Sequence, residues 1–149
     1  MEVKKILCAV DLEDTIAPSV EYAKMMASMT GASILVAYVI PAHTPYEDVY
    51  LSVNNQPNEV NNPNETIQKS MNDLLAEQFA GMDATGVILV GRPSEELVKL
   101  AEEKGANLIV MGTHGRAGFD RLLFGSVAHE VVRAAPCPVM TVRPLMPKK

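Results

Sequence analysis

Five short apolar runs alternate with longer amphipathic stretches along these 149 residues, and that strict alternation limits the fold more than any other feature. Val3 to Val10, Ser33 to Ile40, Thr85 to Val90, Asn107 to Met111 and Val139 to Val142 are too short for helices and rich in branched apolar residues, so each reads as a buried strand. Between them lie helical patterns. Thr15 is placed to cap a helix carrying Val20, Ala23, Met26 and Ala27, with Pro18 in its first turn and Gly31 at its end. Asn62, Pro63 and Glu65 open a second, with a stripe of Ile67, Met71, Leu74, Leu75 and Phe79. Pro93 and Glu95 start a third through Leu97, Leu100 and Ala101 that stops at Gly105, and a fourth runs from about Ser126 to Ala134. Alternation of this kind implies right-handed crossovers and a parallel sheet covered on both faces, the doubly wound α/β class.

The length suits one domain over residues 1–149, and 48% hydrophobic residues suffice for a core. Pro41 to Asn64 breaks the pattern with prolines and six asparagines, and reads as a long mobile loop. A net charge of −5 repels phosphate backbones and argues against a nucleic-acid partner. No apolar stretch nears the ~20 residues of a membrane span, and Met1-Glu2-Val3-Lys4-Lys5 is unlike a signal peptide, so a cytoplasmic protein is expected. Cys8 and Cys137 lack C-x-x-C spacing and read as buried thiols in a reducing compartment. Met25, Met26 and Met29 read as helix packing rather than a binding surface.

In open parallel sheets ligands bind beyond the carboxyl ends of the strands, where the winding reverses. Two strand ends here carry unusual residues: Asp11 after the first, and Met111-Gly112-Thr113-His114-Gly115 after the fourth. They share one crevice if those strands are neighbours, an assumption the residues alone leave open. Gly112 and Gly115, then nine residues, then Gly125-Ser126 supply side-chain-free positions leading to an expected helix start. There, free N–H groups and the positive dipole end suit a phosphate, and the Ser126 hydroxyl adds a donor. Taken singly, each glycine reads as a tight turn or a cap; the joint spacing is what points to a ligand.

The runs Ile6-Leu-Cys-Ala-Val-Asp11, Leu108-Ile-Val-Met-Gly-Thr-His-Gly-Arg116, Leu122-Leu-Phe-Gly-Ser-Val-Ala128 and Pro136-Cys-Pro-Val139 resemble the universal stress protein family, and the likeness covers nearly the whole chain. The resemblance implies a five-stranded parallel sheet in the order 3-2-1-4-5 with helices on both faces. It also implies that G-x-x-G-x9-G-[S/T] marks an ATP-binding member, a nucleotide-dependent regulator in the stress response. By the same likeness Ala9, Asp11 and Val39 lie beside adenine and ribose, and Met111 flanks the base. Gly112, His114, Gly115 and Arg116 line the ribose and phosphate path, while Gly125, Ser126 and Val127 hold the β- and γ-phosphates. A Mg or Mn ion would arrive on the nucleotide, with Asp11 as a candidate contact, and no protein-only metal site is expected.

His114 is of the residue type suited to general-base work, but no carboxylate or nucleophile is placed in the motif to form a catalytic pair, so no catalytic residue is assigned and hydrolysis is expected to be slow at most. Arg116 and Arg121 read either as phosphate contacts or as solvated loop residues, with Arg116 favoured by its place inside the glycine bracket. The last strand, apolar and at a sheet edge in the family order, implies a homodimer through Val139 to Val142, against a monomer whose edge is protected by Pro138 and Pro144. A nucleotide-independent homodimeric interaction module is the alternative function. A flavin domain on a similar sheet has less support, since no residue specific for such a ring is present.

Overall fold

A computed structural model describes residues 2–12, 17–41, 63–113 and 121–143, with the side chains of 63–64 and 121–125 outside the description. Its elements are β1 (Lys5–Ala9), α1 (Pro18–Thr30), β2 (Ser33–Pro41), α2 (Pro63–Gln78), β3 (Ala84–Gly91), α3 (Pro93–Lys104), β4 (Leu108–Gly112), α4 (Arg121–Ala134) and β5 (Val139–Val142). The strands form one sheet in the order β3-β2-β1-β4-β5 with every pair parallel, as expected.

Continuous apolar strands form here because side chains alternate between two covered faces. Ile6 and Cys8 of β1, Ile34 and Val36 of β2, and Leu108 and Val110 of β4 pack with Val20, Ala23 and Ala27 of α1 and with Met71 and Leu74 of α2. Leu7, Leu35, Ala37, Ile109 and Met111 point the other way, onto Leu97 and Leu100 of α3 and Ala128 and Val131 of α4. The entry ends of the two central strands are tied together. Asn107 Oδ1 accepts from the backbone N–H of both Lys4 (2.8 Å) and Lys5 (2.9 Å), while the N–H of Asn107 donates to the Lys5 carbonyl (2.8 Å).

Helix limits follow the expected punctuation at most ends. Gly31 takes the left-handed conformation (φ 75°) and donates to the Ala27 carbonyl, closing α1, and Gly105 does the same after α3. The start of α1 differs from expectation: Ala17 holds the cap position without a side-chain cap, and the helix opens on Pro18, whose fixed φ and missing N–H suit a first position. Thr15 lies outside the described residues, as does nearly all of the Pro41 to Asn64 segment. Helix α4 already includes Arg121, five residues ahead of the start expected at about Ser126.

Two side-chain expectations need correction. Met25 and Met29 are 45% and 74% exposed and share an outward face of α1 with Tyr22, because the 100° helical step that turns Val20, Ala23 and Ala27 to the sheet turns them away. Only Met26 packs against the core. Cys8 is buried, and burial alone pushes its thiol up to about 12, whereas Cys137 is half-buried.

Candidate functional site

Strand β1 pairs with β4, and the ladder ends at Cys8 opposite Val110. That pairing supplies the neighbour relation left open by the residues alone. From β1 the chain winds outward through β2 to β3, and from β4 it winds the opposite way to β5, so the exits of β1 and β4 flank the reversal point. Ala9 to Asp11 leave on one side of this crevice and Met111 to Thr113 on the other.

Four of the expected site residues come together on one face. Val39 and Met111 are buried in the cluster beneath α3 and α4, and Ala9 and Val127 pack against it partly exposed, giving an apolar wall beside the strand exits. Val39 follows Ala37, the β2 partner of Ala9, by two residues and so points to the same face. Asp11 is half-buried just past β1, where the N–H of Val10 still donates to the Ala37 carbonyl (2.9 Å). Gly112 is half-buried and pairs with Val142 of β5. Ser126 is exposed on α4. His114, Gly115 and Arg116 lie outside the described residues, and of Gly125 and Arg121 only the helical backbone is described.

The earlier start of α4 changes the phosphate geometry expected from the sequence. The unpaired N–H groups of a helix belong to its first turn, and α4 is already helical at Arg121, so those of Gly125 and Ser126 fall beyond it. Thr113, part of the run after the fourth strand but assigned no role from the sequence, also belongs to the crevice. Its N–H donates to the Val142 carbonyl (3.1 Å) and its Oγ1 lies 3.5 Å from the same oxygen, fixing the β4 exit to the end of β5. A hydroxyl residue directly after a strand-ending glycine is the signal that would have found it. Among the described residues no cluster of three or more His, Cys, Asp or Glu could hold a metal ion, and no helix is long and apolar enough to cross a membrane.

A profile of the Universal stress protein family matches residues 2–143. Universal stress protein MJ0577 of Methanocaldococcus jannaschii is 28% identical over 153 aligned residues, covering 94% of each chain. A universal stress protein of Thermus aquaticus is 33% identical over 148, covering 94% of this chain and 98% of the relative. The solved structure of MJ0577 superimposes with a TM-score of 0.78 at 26% identity over 99% of this chain and 100% of that one. A universal stress protein from Archaeoglobus fulgidus, solved in complex with dAMP, does so with a TM-score of 0.57 at 25% identity over 95% and 98%. Sheet order, crevice and sequence match agree, and the chain belongs to the universal stress protein family.

Proposed function

We propose that this protein binds ATP in the crevice between the exits of β1 and β4 and acts as a nucleotide-dependent regulator in the cytoplasm, with at most slow hydrolysis. The observation that carries the reading is the pairing of β1 with β4, which brings Asp11 and Gly112 to the reversal point beside the apolar wall of Ala9, Val39, Met111 and Val127. The residues suit the ligand: an apolar wall accepts a base, the Asp11 carboxylate a ribose hydroxyl, and the Ser126 hydroxyl can donate to phosphate. A Mg or Mn ion carried on the nucleotide would neutralise phosphate charge, with the Asp11 carboxylate as a candidate contact. His114, Gly115, Arg116 and Gly125 complete the assignment from the motif. That a relative is solved with dAMP supports an adenine nucleotide here.

The edge position of β5 supports a homodimer through Val139 to Val142. One observation favours a second reading, the nucleotide-independent dimeric module: the first turn of α4 lies ahead of Gly125 and Ser126, so their amides are not the unpaired ones. Mass spectrometry of protein purified without added nucleotide, with ATP titration of wild type and Gly115→Val, separates the two. ATP bound by the wild type and weakened at least about tenfold in Gly115→Val upholds the nucleotide reading. A wild type without ATP affinity leaves the dimeric module.

A further inference from the structure

Away from the crevice walls, three polar side chains, from α3, the residue preceding it and α4, converge in an open groove between the two helices. Ser94, in the first turn of α3 and 5% exposed, donates its hydroxyl to Glu130 Oε2 on α4. Arg92, the residue that caps α3, reaches the other carboxylate oxygen, Glu130 Oε1, through Nη2 at 3.3 Å, and its Nη1 lies 3.4 Å from Glu95 Oε1. Both oxygens of Glu130 are thus held by groups fixed to the β3–α3 junction. The Ser94 hydrogen bond, with Arg92 adding to it, keeps this carboxyl below its ordinary range and so charged.

Glu130 is four residues from Ser126, which places the two on one face of α4, a single turn apart. Among the described side chains of α4, those that anchor it to the core are small or branched: Ala128, Val131 and the partly buried Val127. Contacts of that kind resist lifting of a helix better than they resist rotation or sliding along its axis, because dispersion is not directional. A carboxylate gripped at both oxygens from a neighbouring helix is directional, and sets both the rotation and the height of α4.

We propose that Glu130 is a positioning residue of the nucleotide site: held by Ser94 and Arg92, it fixes the register of α4 against α3 and so aims Ser126, one turn away, at the phosphate end of the ligand. The inference rests on the nucleotide reading above and adds the group that aligns it. Glu130 touches no ligand, so its loss acts on the phosphate end and spares the base and ribose end, which Ala9, Asp11, Val39 and Met111 build from the sheet.

The test is calorimetric titration of ATP and of adenosine into wild type, Glu130→Ala, Ser94→Ala and Glu130→Gln. Glu130→Ala and Ser94→Ala are expected to lower ATP affinity about tenfold while adenosine affinity stays within about twofold. Glu130→Gln keeps an amide oxygen for the Ser94 hydroxyl and recovers most of the ATP affinity, and as a near-isostere it serves if either alanine variant fails to fold. Equal losses for ATP and adenosine, or an unchanged ratio in every variant, overturn the proposal while leaving the nucleotide reading intact. Absence of ATP binding by the wild type overturns both.

Discussion

Gly86 on β3 lies so close beneath Met71 of α2 that a Cβ at position 86 would stand 2.6 Å from Met71 Cγ and 2.9 Å from its Sδ. Met71 is fully buried, so the side chain has no solvent into which to swing. The missing side chain is what lets α2 settle on the edge strand. Gly86→Ala is therefore expected to destabilise the protein by about 1–3 kcal/mol through overpacking, read as a lower urea midpoint at constant slope. Met71→Ala alone should cost about 2–5 kcal/mol through the cavity it leaves. In the double variant the clash is gone, so the two costs should fall short of their sum.

Burial raises the Cys8 thiol from the ordinary 9.0 to about 12, so the folded protein holds this proton where the unfolded chain releases it. Stability from this group is intact below pH 9 and is lost as pH rises toward 12, by at most about 1.4 kcal/mol per pH unit. Denaturant titrations between those limits should show the decline, and Cys8→Ala should flatten it. A thiol reagent at neutral pH should label Cys137 while sparing Cys8 until the chain unfolds.

The carbonyls of Pro138 and Val142 both accept from β4, so by strand alternation the backbone groups of Val139 and Thr141 point out of the sheet. Thr141→Pro removes one outward N–H and leaves the β4 ladder in place. If β5 pairs across a two-fold axis, light scattering should find a dimeric wild type and a folded, monomeric Thr141→Pro. A variant that stays dimeric would move the contact elsewhere.

Ser126→Ala should weaken ATP binding at least about tenfold, as expected for one hydrogen bond to a charged group, and leave adenosine binding unchanged. Equal affinities for ATP in the two proteins would remove Ser126 from the phosphate site.

Strand positions were legible because Ile6 to Ala9, Ile34 to Val39 and Leu108 to Met111 have to be apolar on both faces, which leaves a continuous signal. The ends of α1 and α3 were legible because Gly31 and Gly105 alone carry the left-handed turn there. The start of α4 was not: Gly125-Ser126 has the look of a cap, but Arg121-Leu122-Leu123 are good helix formers and are already helical. In the site, Asp11 and Met111-Gly112 stood out as unusual strand exits. The grip of Ser94 on Glu130 joins residues 36 apart in sequence, and no local pattern announces a contact set by how two helices lie against each other.

Asn107, with its one side-chain oxygen shared by Lys4 and Lys5, clasps β1 and β4 where they begin, at the end of the sheet remote from the crevice. A pair of blades riveted at one end parts only at the other. If a ligand wedges between these strands, the clasp leaves their far tips, where Ala9 to Asp11 and Met111 to Thr113 emerge, as the place to yield.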